Sequence, residues 1–236
     1  MKGIACTISF GKTAINYQLL LLNRKSMEIA VHPDKRVVIK APQSSCIAAI
    51  EAKIRKRVRW IKRQIAYFNQ FDPRTPERKY VGGESHRYLG RKYRLKIQKS
   101  LRDNVLLQNG CFYIECINER PTHIKDLLET WYKQKAHLYL SKVFDDCWES
   151  FNKEGIERPS LKVQKMAKRW GSLSSKGRLT LNLRLIQAPR ECIEYVITHE
   201  LCHLIHPNHS SDFYKLLRRT MPDWIQRKHK LERSLV

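Results

Sequence analysis

The run His199-Glu200-Leu201-Cys202-His203, with another histidine at position 209, constrains this chain more than any other stretch. Pro189 suits the first turn of a helix, since it lacks the N–H that would go unbonded there, and Glu191 favours the same end through the dipole. Ile193, Val196, Ile197, Leu201 and Leu204 recur at steps of three and four, so the spacing predicts an amphipathic helix with one buried stripe. On that helix His199 and His203 stand one turn apart, with Cβ atoms about 5–6 Å from each other. Both imidazoles can then reach one ion at about 2.0–2.1 Å. Glu200 is offset from that line and can face a water on the ion. Pro207 and Asn208 stop the helix and turn the chain, which can return His209 as a third ligand; His206, three residues past His203, is the alternative. The plainer reading, two satisfied histidines on a half-buried helix, explains neither the third histidine nor the turn.

Three neutral ligands leave a fourth position for water, the pattern of a catalytic rather than a structural zinc site. Zinc lowers the pKa of that water to about 7. Glu200 would accept its proton as a carbonyl is attacked and pass it to the leaving amine. The expectation is one zinc per chain and amide hydrolysis of a peptide or protein. Cys202 shares the helix but points about 100° away from His203, a poor place for a fourth ligand.

Charge points to a second partner. There are 46 Lys and Arg against 22 Asp and Glu, a formal net charge of +24 in 236 residues. That excess implies a polyanionic partner, most often nucleic acid, held through phosphates without sequence preference, and sometimes an anionic membrane surface. Seven cysteines, an odd number without C-x-x-C pairs, do not form a disulfide framework. Lys12, Asn16 and Gln18 interrupt the apolar residues near the N-terminus, so no signal peptide is read there. Leu19 to Leu22 is far too short for a membrane span. A soluble cytoplasmic protein without membrane contact is expected.

The first forty residues predict strands over Thr7–Phe10, Ile15–Leu22, Met27–Val31 and Val37–Ile39, separated by Gly11, Asn23 and a Pro33-Asp34 turn. Ser44 or Ser45 is expected to cap a helix to about Phe71, with Ile47, Ile50, Ile54, Val58, Ile61, Ile65 and Phe68 as its apolar stripe. The other face carries seven cations, either a solvated surface or a phosphate-contacting one; Arg55, Lys56, Arg59 and Arg63 are the nucleic-acid candidates. Asp72 to Glu77 reads as a connector. Strands return from Tyr80 to Cys116, with Asn109-Gly110 as a hairpin turn. A second long helix is expected after Pro121-Thr122, to about Lys153, and Gly155 ends it. No internal repeat is legible.

Leu161–Lys165 and Arg178–Ile186 read as strands flanking a turn, Arg169 to Gly177, directly before the metal helix. A strand beside such a cleft can bind substrate main chain by strand addition. Trp170 and Asn182 are the candidate substrate contacts there, against plain hairpin packing. The expected whole is α+β: a β-rich part with the long basic helix over residues 1–120, then a catalytic half over 121–236.

Several stretches together resemble a known family. Arg169-Trp170-Gly171-Ser172, the Leu181-to-Leu185 strand, His199 to Leu204, and Asn208-His209-Ser210 with Phe213 are similar to the YgjP-like metallopeptidases. So are Arg24 to Met27, Pro33-Asp34, Ala41-Pro42, Trp60-Ile61 and Tyr88 to Arg91, so the resemblance covers nearly the whole chain. It implies a zincin-like catalytic half, related to the SprT-like and WLM proteases, with His199, His203 and His209 on zinc and Glu200 as base. Leu173 departs from the cysteine the family often has after Trp-Gly-Ser, so no cysteine role is carried to that turn. The SprT-like relatives cleave proteins on DNA, and the charge here is compatible with that.

Other readings compete. Zinc endoribonucleases of the rRNA-maturation type carry His-Gly-x-Leu-His with a third His at the same spacing; here Glu200 stands in place of that glycine. Peptide deformylases need a cysteine ligand in a Glu-Gly-Cys-type segment, which this chain lacks. A basic nucleic-acid-binding module with a purely structural metal would need four protein ligands.

Overall fold

A computed structural model describes residues 3–11, 13–32, 34–69, 78–152, 155–167 and 169–235. The chain divides into two compact units, Met1–Thr75 and Pro76–Val236. The expected boundary near residue 120 is not where the division falls. Residues on both sides of that position share one core: Leu95, Phe112 and Ile114 pack in the same cluster as Ile124, Leu128 and Ile193. A division there would expose apolar surface on both pieces.

The first unit contains β1 (Ile4–Phe10), β2 (Thr13–Leu22), β3 (Glu28–Val31), β4 (Val37–Pro42) and α1 (Ile47–Asn69). Its sheet runs β1-β2-β4-β3, with a parallel β2–β4 pair between antiparallel flanks. The central β4 reads Val37-Val38-Ile39 without alternation because it is buried on both faces. Ile50, Ile54, Val58 and Ile61 of α1 close the core against Ile8, Ile15, Leu19 and Ile39. The helix starts later than the serines suggested. Ile50 N–H donates to the Cys46 carbonyl at 3.2 Å, while Ser45 N–H closes a turn onto Pro42 O at 3.1 Å. Pro33, the expected helix end at Phe71 and the 72–77 connector lie outside the described residues.

The second unit begins with β5 (Ser85–Tyr88), β6 (Arg91–Lys99), β7 (Asn104–Gln108), β8 (Cys111–Cys116) and α2 (Pro121–Trp148). Asn109 and Gly110, at φ 49° and 72°, make the expected hairpin turn. The sheet order is β5-β6-β8-β7, again with a parallel middle pair between antiparallel flanks. In each unit the long helix that follows packs on the third strand, α1 on β3 and α2 on β7. The chain therefore builds one four-strand-plus-helix arrangement twice, a repeat invisible in the residues. The two helices differ in what else they meet. α1 buries a single stripe, whereas α2 also packs on elements that follow it and buries residues such as Trp131, Tyr132, Phe144 and Trp148. Lys153, the expected end of α2, lies outside the described residues.

After α2 come β9 (Ser160–Gln164), β10 (Gly171–Leu173), β11 (Arg178–Asn182), a 3-10 turn (Leu183–Gln187), α3 (Arg190–Cys202), α4 (Ser211–Thr220) and α5 (Trp224–Leu235). β11 is central, parallel to β9 and antiparallel to the edge strand β10. The strand expected to reach Ile186 stops at Asn182, whose side-chain oxygen accepts Arg184 N–H at 3.1 Å and bends the chain into the 3-10 turn. Among the described residues no helix is long and apolar enough to cross a membrane.

Candidate metal centre

Helix α3 ends where the motif needs it to end. His199 and Glu200 lie in its last turn, and His203 is its C-cap. The chain then turns through Pro207 and Asn208, and Ser210 accepts Phe213 N–H at 3.4 Å to start α4. His209 sits just before that cap. The turn brings the ligand nitrogens of His199, His203 and His209 within 4.8 Å of one another. His209 Nε2 lies 3.0 Å from His199 Nε2, near the roughly 3.3 Å that two tetrahedral bonds of 2.0–2.1 Å would set.

The surroundings favour neutral, oriented rings. His203 Nδ1–H donates to the His206 carbonyl at 3.1 Å, which frees Nε2 as the lone-pair nitrogen. His206, the alternative third ligand, thus contributes its backbone and is absent from the three-histidine cluster. Burial, then the neighbouring His203 and His209, pushes the His199 pKa down to about 4. Burial likewise lowers that of His209. His199 Nδ1 is buried without a hydrogen-bond partner. Neutral imidazole is the form that ligates a metal, so the donor set fits a zinc ion.

Phe213 had no role assigned from the residues alone. It is fully buried in α4, and its ring centroid lies 5.0, 4.6 and 4.7 Å from those of His199, His203 and His209. One aromatic ring therefore backs all three imidazoles. A capping serine followed by Asp212, Phe213, Leu216 and Leu217 was the available sequence signal for this helix.

Glu200 is buried at a cleft of about 1250 Å³ that His199, His203 and His209 also line. Burial raises its pKa to about 7, partly offset by a hydrogen bond from Leu173 N–H and by the charge of Arg169. Gly171 of β10 makes room for it: a Cβ there would sit 2.8 Å from Glu200 Cγ and 2.9 Å from Val196 Cγ1. Arg169, Arg158 and Lys176 bring positive charge to the cleft wall.

Trp170 and Asn182 do not line this cleft. Asn182 is buried, and its amide donates to the Met166 and Arg169 carbonyls at 2.8 Å each. It clamps the segment leading into β10 instead of meeting solvent. Trp170 lies beneath the Arg184 guanidinium, 5.9 Å from its ring centroid, and packs against the core.

The nucleic-acid candidates Arg55, Lys56, Arg59 and Arg63 all lie on the exposed side of α1, in the first unit. Arg55 donates to the Ser9 carbonyl at 3.0 Å.

Comparison with curated proteins found no match. Two solved structures are similar over part of the chain. Jannalysin of Methanocaldococcus jannaschii, described as a metallopeptidase zymogen, is 24% identical over 41% of this chain and 90% of its own, with a TM-score of 0.37. Abylysin of Pyrococcus abyssi, also a metallopeptidase zymogen, is 21% identical over 41% of this chain and 99% of its own, at 0.35. The model of the family described as YgjP-like, metallopeptidase domain, matches residues 25–234. With nearly the whole chain matched, this protein belongs to the YgjP-like metallopeptidase-domain family.

Proposed function

We propose that this chain is a zinc-dependent peptidase in which His199, His203 and His209 hold one zinc ion and Glu200 is the general base. The observation that carries the reading is the pairing of two environments at one cleft. Three imidazole nitrogens converge within 4.8 Å, and beside them a buried carboxyl has its pKa near 7. Zinc, when bound, supplies Lewis acidity and a nucleophilic water near neutral pH.

The chain's own residues do the rest. Glu200 takes a proton from the attacking water and returns it to the amide nitrogen as the C–N bond breaks. A pKa close to the working pH lets one carboxyl serve as base and then as acid. The Leu173 N–H holds the carboxylate in place. The edge strand β10, set beside the cleft by the Asn182 clamp, offers main-chain groups to an extended substrate. The exposed cations of α1 support action on or near nucleic acid, through phosphates and without sequence preference.

Glu200→Gln tests the base and the metal separately. Zinc content should stay at about one per chain, while peptide hydrolysis drops roughly 10²–10⁴-fold. His199→Ala, His203→Ala and His209→Ala should each lose zinc, and His206→Ala should keep it. Hydrolysis surviving Glu200→Gln would remove the general base, and RNA cleavage without proteolysis would favour a ribonuclease instead.

A further inference from the structure

A groove of about 380 Å³ in the first unit is lined by Met27, Ile29, Lys53, Lys56, Arg57 and Trp60. Met27 and Ile29 give it apolar walls, and Trp60 is half-buried against the same core. The remaining lining is cationic, with no Asp or Glu among it. On α1, Lys56 and Arg57 stand four and three residues before Trp60, within a turn of the indole, and Lys53 lies one turn further back on the same face. Among the described residues, ion pairs of this unit engage Arg24, Arg36 and Lys40, and none of these pairs involves Lys53, Lys56 or Arg57. Like charges one turn apart repel and weaken a helix. Their cluster around an aromatic ring therefore does not serve the fold.

We infer that this groove binds single-stranded nucleic acid, with one base stacked on Trp60 against Met27 and Ile29 and the adjoining phosphates on Lys53, Lys56 and Arg57. An aromatic platform inside a cationic track is what unpaired strands require, since every base has a π-face to stack. The groove is at the small end for ligand sites, room for one planar ring and not for a folded segment. Beyond it the cations continue through Arg59 and Arg63 on a helix of 23 residues, about 34 Å long. That length suits a polymer charged at every unit better than a peptide with scattered acids. Residues 1–75 hold fifteen Lys and Arg against four Asp and Glu. A duplex cannot use the site, because its bases are stacked on each other. The inference rests on the nucleic-acid part of the proposed function and adds the strand state and the ring that reads it.

The test uses the full chain with labelled (dT)20, (rU)20, a duplex of equal length and a polyglutamate peptide, titrated by anisotropy at several salt concentrations. At least one single strand should bind more tightly than the duplex, and the DNA and RNA arms identify the source. Trp60→Leu should weaken single-strand binding by about 5- to 150-fold, the loss of one stacked base, and leave duplex binding unchanged. Trp60→Phe, which keeps a ring, should recover part of the loss and guards against a folding defect. Lys53, Lys56 and Arg57 changed together to Ser, all at the surface, should shallow the single-strand salt slope by about two units. Equal single-strand affinity in folded Trp60→Leu, or polyglutamate competing as well as (dT)20, would overturn the inference. Duplex bound as tightly as either strand overturns it alone; no polynucleotide bound at all overturns the nucleic-acid reading too.

Discussion

Gly171 owes its place to the atom it lacks. A Cβ there would also lie 2.9 Å from Glu200 Oε1, so Gly171→Ala has to move the carboxylate or the strand. A displacement of about 1 Å near the chemistry can cost about 10²-fold in rate. Zinc content should be unchanged, because the atoms nearest a Cβ at Gly171 belong to Glu200 and Val196 and none to the three imidazoles; zinc loss in this variant would refute the division of roles. Phe213 poses the complementary case. Phe213→Ala should cost about 3–5 kcal/mol of stability and, by releasing the imidazoles it backs, lower zinc affinity by roughly tenfold or more. Phe213→Leu keeps most of the volume and should retain the fold while still loosening zinc, as competition with a chelator would measure.

At the scale of elements, what could be read in the residues depended on whether the signal was local. α3 was legible because its stripe, its dipole-favouring start and its His spacing all lie within a few turns. The strands of the first unit and the Asn109-Gly110 hairpin were legible for the same reason. β10 was not: three residues inside a turn carry no periodicity, and Gly171 holds a strand position only because β11 pairs with it. Asn182 misled because a polar residue beside a cleft suggests substrate, whereas its amide is spent on backbone carbonyls that come from distant positions. The parallel pairs β2–β4 and β6–β8 join strands that are not successive, so nothing in either run announces the partner. On α1 the solvated-face and phosphate-contact readings now divide on one measurement. Arg55, Arg59 and Arg63 changed together to Ser should shallow the salt slope for duplex DNA by about two to three units if all three touch phosphate. An unchanged slope would mean a helix that is only solvated.

Across the whole molecule, two separate cores predict two unfolding events rather than one. Ile54 is fully buried in the first core. Ile54→Ala should destabilise that unit by about 2–5 kcal/mol and leave zinc content and hydrolysis of a small peptide intact. A single cooperative transition that shifts as a whole would contradict this. In the second unit acid acts through two neighbouring groups. His86 is buried, which lowers its pKa below 6.5 although Glu84 Oε2 lies 3.2 Å away. Burial works against the Glu84 carboxylate, yet N–H groups of Tyr80 and Lys79 and the ring of His86 hold its pKa below 4.5. Groups with depressed pKa values contribute stability above the unfolded value and lose it as pH falls. The His86 contribution therefore declines below about pH 6.5, and that of Glu84 below about 4.5. Glu200, with its raised pKa, acts in the opposite sense, so the comparison must be between metal-free wild type and His86→Gln. The variant should lose less melting temperature between pH 7.5 and 5.5; an equal loss would remove His86 from the account.

The duplicated arrangement of four strands and a helix has a consequence for how the protein is made. Domains complete themselves from the N-terminus as the ribosome delivers them, at roughly 5–20 residues per second. The first copy is whole once Asn69 has emerged, and His199 lies 130 residues further on, a delay of roughly 7–25 s. For that interval the nascent chain displays a finished cationic module and lacks His199, His203 and His209. Synthesis thus delivers the cationic unit first and the histidine cluster well after it.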